Sequence, residues 1–285
     1  MDFSIVYAFV ACKYRHTETG RGRKPYSPVA MFKALILKEI LRIPSRRQLA
    51  KFLEANPYWC KKCGFDKPPD HSTFSKFIKR LGVEMFRRVF DLLLQQLREL
   101  GVVNGEIIAV DSTLIKAYAQ PKDEGCSDPD ARWGYDVRGK WVFGYKVHLA
   151  CDADIELPIT YDVTPANVHD SKKFRELISD IHAKGIRFKY VIADAGYDTE
   201  DNRLVAQILG ATPVIARNPR RAKNKASIVP KPLAQYYKKR VAVERIFSRL
   251  KEELCLGAVK VRGLWRVKVH VSVSLIAMLC VAIAC

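Results

Sequence analysis

Three acidic residues stand in contexts that suit a cation-binding site. Asp111 follows the apolar run EIIAV, Asp194 follows the apolar run VIA, and Glu244 lies in the charged segment RVAVERIFSRLK. Carboxylates a few ångströms apart repel one another and retain protons, unless hard divalent cations, which prefer oxygen ligands, neutralise them. Two such ions can activate a water or a 3′-hydroxyl and stabilise the leaving oxygen of a phosphodiester. If folding brings the three acids together, they predict metal-dependent cleavage or transfer of DNA strands.

Cationic residues accompany the third acid. At 100° per residue, Tyr237, Arg240, Glu244 and Lys251 fall within an arc of about 60° on one helix face. An alternative is a solvated face with an ordinary ion pair between Arg240 and Glu244, which are four residues apart. Taken with the two aspartates and the charge distribution, the pattern favours a face that binds an anionic ligand.

The charge distribution points to a polyanionic partner. The 285 residues carry a net charge of +19, and 48% of them are apolar, which excludes a disordered chain. Residues 1–105 carry +11, residues 106–215 carry −5, and residues 216–251 carry +11. The acidic middle is expected to hold cations, and the basic flanks are expected to hold the phosphates of nucleic acid.

The first hundred residues have helical patterns. Ser27, Ser45 and Ser72 are predicted N-caps of successive helices, a further helix is predicted from Val83 to about Leu100, and residues 1–15 are predicted to be a helix or a strand. Short helices with basic faces are typical of a helix-turn-helix module, although an ordinary helical bundle fits nearly as well. The basic residues expected to contact DNA are Arg46, Arg47, Lys76, Lys79 and Arg80.

After Asn104 and Gly105 the pattern changes to strands. Strands predicted at 106–112, 143–152 and 157–165 form an antiparallel meander. Helices at 170–183 and 199–209 then alternate with strands at 190–195 and 212–216, and a basic irregular stretch leads into a helix from 233 or 235 to 253. The predicted fold is α/β, a ribonuclease H-like mixed sheet of three antiparallel and two parallel strands flanked by helices, behind an N-terminal helical DNA-binding region.

The motifs resemble one enzyme family. The segment YKKRVAVERIFSRLK reproduces the Y-x2-R-x3-E-x6-K signature of DDE transposases from prokaryotic insertion sequences of the four/five-like group. The segments AVDST, GYKVHLACD, TPANVHDS and ADAGYD are also similar to this family. The resemblance covers most of residues 106–285, so the chain is expected to divide into a DNA-binding region, 1–105, and a catalytic domain, 106–285.

The resemblance implies an activity and roles for particular residues. It implies a transposase that cleaves and transfers DNA strands at terminal inverted repeats, with two Mg²⁺ or Mn²⁺ ions held by Asp111, Asp194 and Glu244. Tyr237, Arg240 and Lys251 would hold DNA near the scissile phosphate. The implied partners are the repeats, the target DNA and a second copy in a homodimer on paired ends. Two alternatives stay open: an inactive DNA-binding protein, and a ribonuclease H-like nuclease without strand transfer.

The cysteines and the C-terminus suggest a cytoplasmic protein without a membrane span. Of eight cysteines only Cys60 and Cys63 form a pair; with His71 they are a weak zinc candidate, and a tight turn with free thiols is favoured. The uncharged segment 271–285 is shorter than a membrane span and is predicted to be a buried helix.

Structural roles are expected for several other polar and aromatic residues. His148 and His169 are expected to make structural hydrogen bonds, and Asp170 and Asp198 to act as turn or helix-cap acids. Core or sheet packing is expected for Trp133, Trp141 and Trp265.

Overall fold

The computed structural model describes residues 25–121, 126–136, 139–218, 229–257 and 259–284. The element predicted at 1–15 lies outside the described residues, as does most of the basic irregular stretch. The chain forms two compact units, of which the sheet unit comprises Leu97–Arg249 with Arg262–Leu264. The helical unit contains the N-terminal helices up to Gln96 together with Leu250–Val261 and the last helix. A domain boundary after residue 105 stays a prediction, and this division places the C-terminal segment with the N-terminal helices.

The helices of the helical unit begin at recognisable caps. They are α1 (Pro28–Ile40), α2 (Arg46–Ala55), α3 (Pro57–Cys63) and α4 (His71–Glu99), and Gly82, with a φ of 72°, interrupts α4. The Ser45 side chain accepts a hydrogen bond from the Gln48 amide at 3.2 Å, as predicted. Ser27 occupies the predicted N-cap position of α1, but its side chain makes no capping hydrogen bond. The predicted Ser72 cap is wrong, because the Ser72 amide donates to the Asp70 carboxylate at 2.8 Å and Asp70 takes the capping role.

Helix α3 replaces the turn predicted around the cysteine pair. Pro57 ends α2 but also suits the first position of a helix, where its missing N–H is not needed. Cys60 and Cys63 are buried free thiols on this helix, and burial raises the pKa of Cys63 to about 11. Among the described residues, no three metal-ligating side chains gather around them.

The last helix, α9 (Leu264–Ala284), is apolar over most of its length. It is long and apolar enough to cross a membrane, but 67% of its most apolar stretch is buried inside the protein. Leu275 and Ile276 are fully buried, and the Ser274 hydroxyl meets the buried carboxylate of Glu39 on α1 at 3.5 Å. The helix therefore has the surroundings of a core helix, as predicted.

The sheet unit contains the predicted mixed sheet. Its strands are β1 (Ile107–Lys116), β2 (Arg132–Tyr135), β3 (Trp141–Asp152), β4 (Leu157–Pro165), β5 (Tyr190–Ala193) and β6 (Thr212–Ile215). They pair in the order β2-β3-β1-β5-β6, and β4 also pairs with β3. Strands β1, β3 and β4 form the antiparallel meander, while β5 and β6 run parallel to β1. The predicted fold class is confirmed, with β2 as an additional short strand.

Helices α5 (Ser171–Ala183) and α6 (Glu200–Ile208) flank the sheet. Helix α5 buries an apolar stripe that includes Phe174 and Leu177. Thr199 caps α6 by accepting a hydrogen bond from the Asn202 amide at 3.2 Å. The capping role predicted for Asp198 is wrong, because its carboxylate pairs instead with Arg203 at 2.7 Å.

The segment predicted as one helix after residue 233 is divided. It comprises α7 (Ala234–Tyr237), a 3₁₀ turn (Lys238–Arg240) and α8 (Val241–Glu252). A 3₁₀ turn advances fewer residues per turn than an α-helix, so the 100° spacing holds only within α8. Val243 and Ile246 of α8 are fully buried, which fixes the helix in place and leaves Glu244 exposed on its other side.

Candidate active site

The parallel pairing of β1 with β5 brings Asp111 and Asp194 together. The last paired residues are Val110 and Ala193, so the two aspartates are the next residues on adjacent chains at the same level of the sheet. Residues at one level of neighbouring strands point to the same face and lie about 5 Å apart. The burial of Val110 and Ala193 holds this register, and thereby the aspartate pair.

Arg240 joins Asp111 to the third acid. Its guanidinium donates to Asp111 Oδ2 through Nη1 at 3.3 Å and to Glu244 Oε1 through Nη2. The Asp111 side chain is 18% exposed, whereas that of Glu244 is 48% exposed. The ion pair considered in the sequence is therefore present, and the same arginine also reaches the carboxylate on β1. Arg240 thus links Asp111 directly to Glu244, and the β1–β5 register sets Asp194 next to Asp111.

The surroundings of Asp111 and Asp194 raise the pKa values of both carboxyl groups. The pKa of Asp111 is raised to about 7: burial is the main cause and the Asp194 charge adds to it, while the Ser112 amide and Arg240 oppose the rise. The pKa of Asp194 is also raised, mainly by burial, against the hydrogen bond that Asp194 accepts from the Gly196 amide at 2.9 Å. Carboxylates with raised pKa values gain most from a nearby cation.

Ion pairs hold α8 against the turn between β3 and β4. Arg245 pairs with Glu156 at 2.6 Å, and Arg249 donates to the Glu156 carbonyl oxygen at 2.6 Å. Lys239, in the preceding 3₁₀ turn, pairs with Asp154. Glu156 has a φ of 55°, which turns its backbone so that both its carbonyl and its carboxylate face the helix.

An aromatic pair anchors the chain before α8. The Tyr236 ring on α7 stacks on the Tyr190 ring at the start of β5, with centroids 3.9 Å apart and an interplanar angle of 18°. The adjacent Tyr237 is half-buried, and its pKa is raised by burial first and by the Asp194 charge, while Arg240 lowers it. Tyr237 is therefore close enough to Asp194 and Asp111 for their charges to raise its pKa.

The other predicted DNA contacts differ in exposure. Lys251 is exposed on α8, in the part of that helix that belongs to the helical unit. Within the helical unit, Arg47 and the α4 residues Lys76, Lys79 and Arg80 are exposed. Arg46 is half-buried, and burial, together with the charge of Arg266, lowers its pKa.

The three carboxylates offer the oxygen ligands that a hard divalent cation prefers. Asp111 and Asp194 offer carboxylate oxygens from one face of the sheet, and Glu244 adds a third carboxylate beyond Arg240. No three acidic, histidine or cysteine side chains within the described ranges already stand close enough to enclose an ion. The Arg240 guanidinium lies between two of the carboxylates, so Glu244 can join the aspartates only if Arg240 turns aside.

Four polar residues beside this group were not predicted to belong to the site. Ser112, Lys146, His148 and Asp170 form hydrogen bonds or ion pairs with one another on the other face of β1. Asp170 was predicted to be a turn or cap acid, but its side chain makes no capping bond. Its partners come from β1 and β3, whose residue-by-residue register a single sequence does not reveal.

Trp133 and Trp141 pack on the sheet, which is one of the two environments expected for them. They lie on β2 and β3 and are exposed rather than in the core, and Trp133 contacts Phe143 with centroids 5.4 Å apart. His169 accords with its expected structural role, since its Nδ1 meets the Ser171 hydroxyl at 2.8 Å.

The sequence matches two family models. The first, described as a transposase DDE domain, matches residues 104–280. The second, described as a transposase domain, matches residues 1–80. The first match spans the mixed sheet, the three acids and more than half of the chain.

Solved structures of three transposases are similar to this chain to different degrees. The piggyBac transposase in a synaptic complex with hairpin DNA is 11% identical, with 97% of this chain and 69% of that chain covered at a TM-score of 0.51. The Mos1 transposase paired-end complex with the left transposon end is 13% identical, with 86% and 82% covered at a TM-score of 0.26. The Drosophila P element transposase strand transfer complex is 10% identical, with 75% and 46% covered at a TM-score of 0.32.

Of these three similarities, that to the piggyBac transposase is strong enough to support the fold, and it agrees with the predicted ribonuclease H-like sheet. The family match favours the transposase interpretation over an inactive DNA-binding protein and over a nuclease without strand transfer. The chain belongs to the transposase DDE domain family and is a DDE-type DNA transposase.

Proposed function

We propose that Asp111, Asp194 and Glu244 are the catalytic carboxylates of this transposase. The observation that carries the proposal is the β1–β5 register, which sets Asp111 beside Asp194, together with Arg240, which ties Asp111 to Glu244. The raised pKa values of the two aspartates are typical of functional carboxylates held close together.

Divalent metal ions are used by the transposase DDE domain family. In this chain the three carboxylates would hold two Mg²⁺ or Mn²⁺ ions. When bound, such ions activate the attacking water or 3′-hydroxyl and stabilise the leaving oxygen. The carboxylates fix where the reacting phosphate can lie, and Arg240 exchanges its contact with Glu244 for one with that phosphate.

Basic residues around the acids are proposed to hold the DNA. Arg240 and Lys251 would bind phosphates near the scissile bond, and Tyr237 would pack against the backbone there. In the helical unit, Arg46, Arg47, Lys76, Lys79 and Arg80 would contact the terminal inverted repeats. We further propose that the enzyme belongs to the four/five-like insertion sequences and acts in the cytoplasm as a homodimer on paired ends and target DNA.

A strand-cleavage assay tests the carboxylates. The purified protein is incubated with Mg²⁺ or Mn²⁺ and a duplex that carries the inverted repeats flanking its own gene. Asp111→Asn, Asp194→Asn and Glu244→Gln are each expected to lower cleavage and strand transfer by at least about a thousandfold, because each removes a charge that the metal requires. Binding of the uncleaved duplex should persist.

Glu252→Gln is the matched control for Glu244→Gln. Glu252 is an exposed glutamate on the same helix, eight residues further along. The control should cleave as the wild type does. Full activity in any one of the three variants, or an equal loss in Glu252→Gln, would contradict the assignment.

A further inference from the structure

A network of polar side chains lies on the face of β1 opposite Asp111. Successive residues of a strand point to opposite faces, so Ser112 faces away from the Asp111 side. On this second face, Ser112, His148 and Asp162 are register partners across β1, β3 and β4. Three neighbouring strands thus each present a polar side chain at one level of the sheet.

Asp170 completes this network from the start of α5. It occupies the residue before the helix, yet its side chain does not cap the first turn. Instead its Oδ1 accepts a hydrogen bond from the Ser112 hydroxyl at 2.7 Å and pairs with Lys146 Nζ at 2.9 Å. Lys146 Nζ also donates to the Val168 carbonyl oxygen at 2.9 Å. The position of the Asp170 carboxylate is therefore set by the sheet rather than by its own helix.

Ser112 connects Asp170 directly to Asp111. While its hydroxyl bonds to Asp170, its backbone amide donates to Asp111 Oδ1 at 2.7 Å. A shift of β1 at Ser112 would move both bonds. The Asp170 charge also raises the pKa of Asp111, after the larger effects of burial and of the neighbouring Asp194.

His148 supports the network as a neutral ring. It is fully buried, and its Nε2 meets the Thr164 hydroxyl at 2.9 Å, while that hydroxyl donates to the Pro165 carbonyl oxygen at 3.1 Å. Burial lowers the pKa of His148 to about 4, so the ring is uncharged at neutral pH. Its Nδ1 lies 3.8 Å from Asp170 Oδ1, and the positive charge that holds Asp170 therefore comes from Lys146.

We propose that Asp170 is a positioning residue for Asp111. Its carboxylate, held by Lys146, fixes Ser112, and through Ser112 it fixes the orientation of the Asp111 carboxylate. The inference rests on the proposed catalytic role of Asp111. Removal of the Asp170 carboxylate should affect the reacting geometry and leave DNA binding intact, because the network lies on the face away from Arg240.

The first test compares two aspartates of the same face. Asp170→Asn is expected to lower kcat for strand cleavage by about ten- to a hundredfold, with an unchanged Kd for the duplex. It should also weaken Mn²⁺ binding measured by calorimetry in the absence of DNA. Asp162→Asn is the control, because Asp162 also pairs with a lysine, Lys173, at 2.9 Å. Its kcat and Mn²⁺ affinity should stay within about twofold of the wild type, since strand β3 separates Asp162 from Ser112.

The second test measures coupling. Ser112→Ala removes one hydroxyl, so it provides the measurement even if Asp170→Asn fails to fold. It should reproduce the decrease in kcat and Mn²⁺ affinity. The double variant should have the same kcat and Mn²⁺ affinity as either single variant, because both substitutions break the same hydrogen bond between Ser112 and Asp170. Decreases that multiply, or an Asp170→Asn variant that behaves like Asp162→Asn, would overturn the proposal. Asp111→Asn in the same assay separates the two ideas: if it cleaves normally, the catalytic assignment itself fails.

Discussion

Asp111 illustrates how a buried carboxylate is held at a cost to stability. Its pKa in the folded protein is about 7, against 3.8 for an ordinary aspartate, and burial is the main cause. The folded protein therefore holds a proton on Asp111 over a pH range in which the unfolded chain has released it. The penalty for the ionised form is complete above about pH 7 and disappears as the pH falls toward 4.

Removal of this charge should stabilise the fold while it abolishes catalysis. Without divalent ions, Asp111→Asn is expected to raise the free energy of unfolding by about 1–3 kcal/mol at pH 8, less at pH 6 and almost nothing at pH 4. Urea denaturation at the three pH values gives the measurement, with Glu252→Gln as the neutral control. A variant that is less stable than the wild type at pH 8 would show that the ionised Asp111 carboxylate does not destabilise the folded protein.

Single residues could be singled out from the sequence where the chemistry is local. Asp111 and Asp194 each follow an apolar strand, and Glu244 stands among cations at helical spacing, so residue type and spacing were enough to propose these residues as a site. Asp170 could not be assigned in this way, because its partners Ser112 and Lys146 are 58 and 24 residues away along the chain. Its role depends on strand register, and an aspartate before a helix is most often a cap.

At the scale of elements, the pairing of β1 with β3 depends on a close backbone contact at Gly144. A Cβ atom built there would lie 2.1 Å from the Ile115 carbonyl oxygen and 2.8 Å from the Ala117 amide nitrogen. Neither backbone atom can move without breaking the pairing that carries Asp111. Only glycine, which has no Cβ atom, therefore fits at position 144, where β1, β2 and β3 meet.

We expect Gly144→Ala to destabilise the protein by about 2–4 kcal/mol, because the added methyl group would overlap backbone atoms that cannot move aside. Gly257→Ala is the control, since a Cβ at Gly257 would meet nothing within 4 Å. Thermal unfolding followed by circular dichroism compares the two variants. Equal melting temperatures for Gly144→Ala and the wild type would mean that the strands pair more loosely than the structure indicates.

Elements with long apolar runs were the predictable ones. Strand β4 was expected at 157–165 and lies at Leu157–Pro165, because an alternating run rich in β-forming residues and bounded by turns is a strong strand signal. Strand β2 was missed, since four residues carry too little periodicity. Helix α3 was missed because a proline directly after a helical run, as at Pro57, suggests the end of that helix, although proline also starts helices.

At the scale of the whole molecule, the charge of +19 should govern DNA affinity. Removing one phosphate-binding cation makes the dependence of log K on log salt shallower by about 0.9. The triple variant Lys76→Ala, Lys79→Ala, Arg80→Ala is expected to reduce the slope by about 2–3, measured by fluorescence anisotropy on a duplex of the terminal repeat.

The control for this variant removes three other exposed lysines of the helical unit, Lys61, Lys62 and Lys67. It has the same change in net charge, so it separates local contacts from the general field of the protein. Equal slopes for the two triple variants would remove the α4 face from the DNA-binding surface.

The division into units was only partly accessible from sequence. The change from helices to strands near residue 105 was visible in the hydrophobic pattern, since the period changes from helical to extended. The C-terminal helix was predicted to belong with the sheet but is grouped with the N-terminal helices. That grouping depends on contacts between distant parts of the chain, such as Ser274 with Glu39, which a local pattern cannot reveal.

The metal site itself can be tested by locating bound Mn²⁺ through anomalous X-ray scattering from crystals of the protein with its end DNA. We predict anomalous peaks bonded to carboxylate oxygens of both Asp111 and Asp194, with Glu244 completing the site. Manganese bound elsewhere, or coordinated with either aspartate outside its shell, would show that these carboxylates are not the catalytic centre.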